Sequence, residues 1–384
     1  MRVGRMTSRP SPLIACLLAL TSLVSCGTPE PQGPPPLSEE ALAAVTAKAG
    51  APREQLARAV DEAFATEGLG ETRALIVLHD GEIAAERYGP GYGRDTRFLG
   101  WSLSKTLTAV MIGMLAGDGL LRADQPAPVP RWQRSGDPRA DITLRHLLQM
   151  RSGLEHSEPG LPPDESGDAR LLLLDGRDDM ADYATAQPLA AEPGERFAFS
   201  SVDTVILADI AARTLSRSTR PAARRRAVAD YLSARLFEPL GMTTAVSEFD
   251  RSGTFIASSM VHASARDWGK LGELLRRRGS HRGEQLVPRS WVAEMVTPSP
   301  ASPHYGMQLW LNRPVEDGGE QPLFPTRAPA TTFAMIGEQG QYVIVSPEQG
   351  LTIVRLGQSN PAEQRVLLEK LAAIAELYPA QPGR

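Results

Sequence analysis

Two side chains that could carry out nucleophilic catalysis stand three residues apart near the start of a predicted helix. They are Ser102 and Lys105, the ends of a Ser-x-x-Lys motif. Side chains at this spacing share one helix face, and the helix N-terminus favours negative charge developing on the serine oxygen. Lys105 could take the serine proton if it were neutral, a form that burial promotes by lowering a lysine pKa. In the alternative interpretation, Ser102 caps the helix and Lys105 lies on the surface.

The elements that precede this pair are a helix and a hairpin. Helical periodicity runs from Ser38, a plausible N-cap, to about Ala65. Apolar runs at 74–78 and 83–88 predict two strands, and the His-Asp-Gly segment at 79–81 predicts the hairpin turn between them. The pair therefore follows directly on a predicted antiparallel hairpin.

The remaining elements suggest that both chain ends build one sheet. The helix that carries the pair spans Ser102 to Ala116, and a helix-rich stretch follows at about 118–295. Two further strands are expected at Gln341–Val345 and Leu351–Leu356, before a last helix at about 361–377. We expect a sheet formed from both termini, with a mostly helical insertion between them.

The N-terminal segment is typical of an exported protein. Residues 1–25 combine a basic start with an apolar run too short to span a bilayer, which indicates a signal peptide. The run ends at Cys26 in a sequence typical of a bacterial lipobox, so Cys26 is the expected lipidation site; the alternative is an ordinary signal peptide with an incidental cysteine. Residues 26–37 are rich in proline and predict an extended tether. Residues 38–384 then form the globular domain.

Composition excludes several other functions. The chain has 384 residues, a net charge of −4 and 42% hydrophobic residues, which is an ordinary globular composition with no basic field for nucleic acid. Its two cysteines, Cys16 and Cys26, both precede the globular domain, so neither a disulfide framework nor a cysteine nucleophile is expected there. The six histidines lack metal-binding spacing, and no cofactor is expected. The arginine run at 224–226 is most simply a solvated helix face.

Residues 70–375 resemble the serine hydrolases related to class C β-lactamases and D,D-peptidases. Within that group they are most similar to the branch that contains esterases and 6-aminohexanoate-dimer hydrolase. The segments that carry the resemblance are the Ser102–Lys105 motif and residues 75–81, 142–154, 239–242, 265–268 and 305–310. The resemblance implies an α/β (α+β) fold of the β-lactamase/transpeptidase type, a central antiparallel sheet flanked by helices plus an all-α lobe. It also implies that Ser102 is the nucleophile and Lys105 its base, in a cleft between sheet and lobe.

The second motif of this family departs from the usual pattern. Relatives carry Tyr-x-Asn or Tyr-Ser-x after a Pro-Gly turn, and here Phe199 stands at the tyrosine position. In relatives the phenol is thought to relay the serine proton and to protonate the leaving group. A phenyl ring fills the same space but neither gives nor accepts a proton. Ser201, at the third motif position, is expected to form a hydrogen bond to the substrate or to Lys105.

The third motif also differs. Relatives carry Lys-Thr-Gly or His-x-Gly on the strand beside the nucleophile, whereas residues 337–341 match the Gly-x-x-Gly-Gln form of the esterase-like branch through Gly337 and Gly340. Since this segment has no lysine, a dedicated site for a β-lactam carboxylate is not expected. Backbone groups near Gly337 are expected to complete an oxyanion hole with the Ser102 amide.

Other aromatic and acidic residues are candidates for supporting roles. Tyr183 and Tyr305 could lie near Ser102 and replace the missing phenol. Tyr305 and Trp310 could instead form an apolar wall for the substrate, although core packing at a sheet edge also accounts for Trp310. His156, after the 152–154 turn, either lines the cleft or lies on a loop surface.

The sequence thus predicts a secreted, lipid-anchored serine hydrolase that cleaves a small ester or amide through an acyl-serine intermediate. Its activity is expected to be weakened because Phe199 replaces the tyrosine. One alternative is an inactive protein of the same fold that acts as a binding or scaffold module. Another is a β-lactamase or D,D-peptidase, which both motif changes oppose. The expected partners are the substrate and, through the lipid, a bacterial membrane.

Overall fold

The computed structural model describes residues 36–156, 165–315, 321–381 and Gly383. The predicted signal peptide, Cys26 and nearly all of the tether lie outside these residues. Leu37–Arg384 form one structural unit. Among the described helices, none has the length and apolar character needed to cross a bilayer.

The central sheet is built from both ends of the chain, as the sequence predicted. Its strands are antiparallel and lie in the order β2-β1-β11-β10-β9-β8. The strands of the described residues are β1 (Glu71–His79), β2 (Glu82–Tyr88), β3 (Phe98–Leu99), β4 (Val246–Ser247), β5 (Val261–Ala263), β6 (Ser280–His281), β7 (Glu284–Gln285), β8 (Trp310–Leu311), β9 (Phe333–Gly337), β10 (Gln341–Ser346) and β11 (Leu351–Gln358).

Helices cover both faces of this sheet, and the helices between residues 144 and 232 pack around the one at Ser201–Leu215 and are called the lobe below. The helices of the described residues are α1 (Glu39–Ala43), α2 (Arg53–Ala65), α3 (Leu103–Gly117), α4 (Leu144–Leu148), α5 (Gly167–Leu173), α6 (Met180–Ala186), α7 (Ser201–Leu215), α8 (Pro221–Leu232), α9 (Glu238–Leu240), α10 (Ala265–Arg276), α11 (Arg289–Met295) and α12 (Pro361–Glu376). A π-helical turn at Ser233–Phe237 joins α8 to α9.

Alternating side chains of β1 place the sheet between two apolar layers. Ala74, Ile76 and Leu78 face the larger core, which also contains the buried side chains of α3 and α7. Leu75 and Val77 face the smaller core, together with apolar residues of α2 and α12. This two-residue alternation is what a strand buried on both faces requires.

The hairpin turn between β1 and β2 follows the sequence prediction. Asp80 and Gly81 both adopt positive φ, 54° and 90°. Two consecutive left-handed residues are the requirement of the tight hairpin turns that Asp-Gly favours. The expected mixed fold, with a central antiparallel sheet and flanking helices, is confirmed.

Two parts of the helical prediction differ from the structure. The single helix expected from Ser38 to Ala65 is interrupted between α1 and α2, because Gly50 adopts φ 75° and Pro52 precedes the second helix. Ser38 does cap α1, where its hydroxyl accepts a hydrogen bond from the Ala41 amide.

The stretch expected at 118–295 is helix-rich, and not all of its helices belong to one lobe. Three-residue β5 and the short β6–β7 pair lie within it. Helix α10 packs on the sheet, since a Cβ added at Gly272 would contact Thr352 and Val343. The small residue at this position therefore allows close helix–sheet packing, and α10 belongs with the sheet rather than with the lobe.

Candidate active site

Ser102 immediately precedes the first residue of α3. Among the residues that the structure describes, its side chain caps no backbone N–H of the helix. The alternative interpretation, in which the Ser102 side chain caps this helix, is therefore wrong. The Ser102 hydroxyl lies at a helix N-terminus, where unpaired N–H groups favour a developing negative charge.

The turn before Ser102 is held in a tight conformation. Trp101 adopts φ 49°, which non-glycine residues rarely do. Gly100 donates its amide to the Val261 carbonyl at 2.8 Å, and a Cβ at Gly100 would stand 2.3 Å from the Trp268 ring. Contacts with β5 and α10 thus fix the backbone that presents Ser102.

Lys105 is buried, with only 1% of its surface exposed. Its Nζ donates a hydrogen bond to Ser201 Oγ at 2.7 Å and lies 5.1 Å from the centre of the Phe199 ring. The surface alternative for this lysine is therefore excluded. Burial disfavours the ammonium form, whereas the aromatic face favours it.

The second motif stands at the start of α7. Ser200 is the N-cap of this helix and its hydroxyl accepts from the Asp203 amide, so Ser201 is the first helical residue. The structure contains the hydrogen bond between Lys105 and Ser201 that we expected. Phe199, at the sequence position where the resemblance implied a tyrosine, lies beside Lys105 and presents a ring face to it.

Asp168 and His156 lie near Lys105 and Ser201. The sequence analysis did not single out Asp168. His156 Nε2 lies 3.2 Å from Asp168 Oδ1, and the His156 side chain is only 3% exposed. Burial alone would raise the pKa of Asp168, but the nearby His156 and Ser201 side chains and the positive charge of Lys105 outweigh it and lower the pKa to about 2. His156 therefore does not lie on a loop surface.

A second carboxylate lies behind the site in an apolar environment. Asp203 is fully buried and accepts a hydrogen bond from Ser152 Oγ at 2.6 Å. Burial raises the pKa of Asp203 to about 7, although Ser152 and the charge of Lys105 act in the opposite direction. Burial and the nearby charge of Asp203 raise the pKa of Tyr305 far above its usual value, so its phenol stays protonated.

The aromatic side chains form one cluster beside the motif. Tyr305 and Trp310 pack edge to face at 5.0 Å, and Trp310 lies 5.4 Å from Phe199. Phe197 and His304 complete the cluster. Trp310 lies on edge strand β8 and is partly exposed, which fits packing at a sheet edge; its role as an apolar wall for the substrate stays a prediction.

The third motif lies against the turn that precedes α3. A Cβ at Gly337 would stand 2.4 Å from the carbonyl oxygen of Gly100, which places the end of β9 beside Ser102 as the resemblance implied. Gly340 adopts φ 79° in the β9–β10 turn. Gln341 donates its side-chain amide to the Glu338 and Gly357 carbonyls, so it fixes this turn to β11.

A cavity of about 690 Å³ opens next to Ser201. It is lined by Glu155, His156, Glu165, Gly167, Arg170, Tyr183, Gln187 and Val202. Tyr183, one of the two tyrosines considered as a replacement for the phenol, thus lies with His156 at this cavity, while Tyr305 lies in the aromatic cluster. No group of three His, Cys, Asp or Glu side chains suited to a metal occurs in the described part of the chain.

Comparison with known proteins bears on the family and the fold. The family model described as Beta-lactamase matches residues 56–376. A 6-aminohexanoate-dimer hydrolase from Paenarthrobacter ureafaciens is 26% identical over 232 residues, which are 59% of this chain. The match spans 57% of the length of that curated relative.

Solved structures with a similar fold include esterases and penicillin-binding protein homologues. A family VIII carboxylesterase superposes with a TM-score of 0.61 at 17% identity, covering 86% of this chain and 98% of that one. A penicillin-binding protein homologue from Caulobacter crescentus superposes with a TM-score of 0.58 at 16% identity, again covering 86% and 98%. The extent of the family match confirms the resemblance drawn from the sequence, and this chain belongs to the beta-lactamase family.

Proposed function

We propose that this protein is a serine hydrolase that cleaves an ester or amide through an acyl-serine intermediate. The observation that carries the proposal is the buried Lys105 amine, 2.7 Å from Ser201 and one helical turn after Ser102, whose hydroxyl does not cap the helix. A buried amine one helical turn from a serine hydroxyl at a helix N-terminus is suited to general-base catalysis.

In the proposed reaction, Ser102 Oγ attacks the carbonyl carbon while its proton passes to Lys105. The tetrahedral oxyanion is stabilised by the Ser102 amide and by backbone groups near Gly337. Lys105 then returns the proton to the departing alcohol or amine, and the carbon–heteroatom bond breaks. A water molecule attacks the acyl-enzyme, its proton passes through Lys105 to Ser102 Oγ, and the carboxylic acid is released.

The replacement of tyrosine by Phe199 supports a weakened activity. A lost general acid–base partner costs on the order of 10²–10⁴ in rate. The same residue is the observation that favours the second candidate, a binding or scaffold protein without turnover. The burial of Lys105, one helical turn after Ser102, opposes that candidate.

The substrate class is proposed from the relatives and from the third motif. The curated relative is named as the hydrolase of an amide dimer, and one structural neighbour is a carboxylesterase. Because residues 337–341 contain no lysine, a β-lactam or a peptide carboxylate has no dedicated cation there. We therefore favour a small ester or amide over a β-lactamase or D,D-peptidase activity.

Labelling with a fluorophosphonate probe tests the proposal. We expect stoichiometric modification of the wild-type chain and burst release of p-nitrophenol from p-nitrophenyl acetate, both lost in Ser102→Ala. Ser290→Ala, which removes an exposed serine on α11, serves as the matched control and should label normally. A wild-type chain that is folded but not labelled would instead support the scaffold candidate.

Export and lipid anchoring through Cys26 form the remaining part of the proposal. Mass spectrometry of membrane fractions should find a diacylated N-terminal Cys26, and Cys26→Ser should release the protein from the membrane. Cys16→Ser is the matched control, because Cys16 lies within the predicted signal peptide and is removed with it. A soluble mature protein that starts elsewhere would reject the anchor.

A further inference from the structure

A cavity of about 760 Å³ lies beside the first residue of β9. The end of α10, helix α11, the end of β8 and the β10–β11 turn form its other sides. Phe333 begins β9 and lines this cavity, whereas Gly337 ends β9 and packs against the turn before Ser102. Four strand steps separate Phe333 from Gly337 by about 13 Å. This distal cavity is therefore separate from the candidate active site.

Apolar side chains form the floor of the distal cavity. Leu275, Val292, Leu311 and Phe333 line it, and each is at most 3% exposed. Half-buried Val296 continues this surface toward the end of α11. Pockets that hold one small molecule have volumes of about 300–1,000 Å³ and mainly apolar walls with a few polar groups. The distal cavity therefore has the size and the lining of a site for a single, largely apolar molecule.

Exposed arginines line the same cavity. Arg278 follows the end of α10, Arg289 begins α11, and Arg313 follows β8. Within the described ranges of the chain, none of these three guanidinium groups forms an ion pair or donates a hydrogen bond. A fourth lining arginine, Arg276, differs from them because it is paired with Glu273 at 2.8 Å. Three positive charges thus stand at an apolar cavity without a protein partner among those residues.

The lining carboxylate does not balance these charges. Glu348, the acidic residue among the described lining residues, accepts a hydrogen bond from Thr331 Oγ1 at 2.8 Å. Its single negative charge faces three unpaired cations, so the cavity keeps a positive potential that attracts an anion. A guanidinium group presents a fork of N–H donors that matches a carboxylate. The polar part of a complementary ligand is therefore an ionised carboxylate.

We propose that the distal cavity binds a fatty-acid anion. Its alkyl chain packs on the apolar floor, and its carboxylate lies among Arg278, Arg289 and Arg313. A neutral chain would leave the three cations unpaired, and a small anion without a chain would leave the apolar floor in contact with water. A cavity of this size takes one chain, whereas a membrane surface would meet the exposed arginines only. The proposal concerns a second site and does not depend on the hydrolase function.

Isothermal titration with decanoate tests the charged part of the site. We expect saturable binding of one decanoate by the wild-type protein, and Arg278→Glu/Arg289→Glu should weaken it at least about tenfold, because charge-assisted hydrogen bonds are lost. The matched control is Arg217→Glu/Arg225→Glu, which makes the same charge change at two exposed arginines outside the cavity. Its affinity should stay within about twofold of wild type, because distant surface charges are screened. Thermal unfolding should show that both double variants fold.

A cavity-filling variant tests the apolar part of the site. Ala293 is an exposed residue of α11 that lines the cavity, and Ala293→Trp should remove decanoate binding by occupying the space of the chain. This variant also excludes the active site as the place of binding, because decanoate held only near Ser102 would bind to Ala293→Trp as to wild type. Ala222→Trp, at an exposed position on α8, is the matched control and should bind decanoate normally.

Three further ligands separate the proposal from its competitors. Acetate and decyltrimethylammonium should each bind at least about tenfold more weakly than decanoate, because the first lacks the chain and the second carries the wrong charge. Phosphatidylglycerol vesicles test whether the arginines contact a membrane instead. Vesicle binding that is lost in Arg278→Glu/Arg289→Glu, without any binding of decanoate, would overturn the proposal. Decanoate binding that survives both the arginine and the Ala293→Trp substitutions would overturn it as well.

Discussion

The Gly337 Cα faces the Gly100 carbonyl so closely that a methyl group there would stand 2.4 Å from the Gly100 oxygen. Two elements far apart in sequence, the end of β9 and the turn before α3, are thereby packed backbone to backbone. The proposed oxyanion hole depends on this distance, because its two sides come from these two elements.

Gly337→Ala should therefore lower kcat/KM by about 10²-fold, since a shift of about 1 Å in catalytic geometry can cost that much. The control is Gly93→Ala, where an added Cβ meets open space. Steady-state hydrolysis of p-nitrophenyl acetate by both variants checks the prediction. Equal activity in the two would show that the Gly337 contact does not set the geometry of the site.

Phe199→Tyr should raise esterase turnover about tenfold or more, because it restores a phenol beside Lys105. Phe197→Tyr adds the same hydroxyl to the same aromatic cluster but at a position with no ring contact to Lys105, and it should leave turnover unchanged. Turnover is measured with several p-nitrophenyl esters. If Phe199→Tyr folds normally and gains nothing, position 199 is not the relay position of this site.

Asp203→Asn should change how stability depends on pH. The pKa of Asp203 is about 7 in the folded chain because of burial, and about 4 when unfolded. Between about pH 4 and 7, Asp203 carries a proton in the folded state but not in the unfolded state. Its contribution to the free energy of unfolding therefore falls as pH rises from about 4 to 7 and is constant above about pH 7.

The asparagine cannot ionise and should remove that slope, giving a variant more stable than wild type at pH 8 by a few kcal/mol. Urea unfolding at pH 4, 6 and 8 measures the free energy of unfolding of both proteins. A parallel pH dependence in the two would contradict the burial of an ionisable Asp203.

Arg224→Ala should destabilise the fold by about 3 kcal/mol. Arg224 Nη2 lies 2.7 Å from Asp209 Oδ1, and both side chains are buried, so truncation leaves the Asp209 carboxylate to its second partner, the half-exposed Arg213, and removes the buried part of its compensation. Arg225→Ala, the exposed neighbour, should change the free energy of unfolding by less than about 0.5 kcal/mol. Chemical denaturation measures the free energy of unfolding of both variants. Equal losses in the two would show that the Arg224–Asp209 ion pair is exposed to solvent.

Arg224 also shows where sequence patterns stop being informative. Three consecutive arginines on a helix were interpreted as a solvated face, and the structure places the first of them in the lobe interior because its partner Asp209 lies on α7. Charge runs predict exposure only when no buried partner exists, and the partner is set by tertiary packing. The break between α1 and α2 has a more local cause, since Gly50 and Pro52 were visible in the sequence.

In the candidate site, too, some residues could be predicted from the sequence and others could not. Ser102, Lys105 and Ser201 were recognisable because each belongs to a short motif with a helix start nearby. Asp168 belongs to no such motif, and it lies near Ser201 only because α5 packs against α7. Strands β1, β2, β10 and β11 of the central sheet were predictable from apolar runs and turn residues. Strand β9 was implied only by the family resemblance, and two-residue β8 is too short to give a periodic signal.

The pairing of β1 with β11 has a consequence for how the chain acquires its shape. Val77 lies opposite Ile353, so neighbours in the middle of the sheet are separated by most of the polypeptide. During synthesis the β1–β2 hairpin therefore lacks its partner strand until β11 has been translated. Assembly is therefore expected to be slow, and loss of the final few dozen residues would leave the first hairpin as an unprotected, aggregation-prone edge.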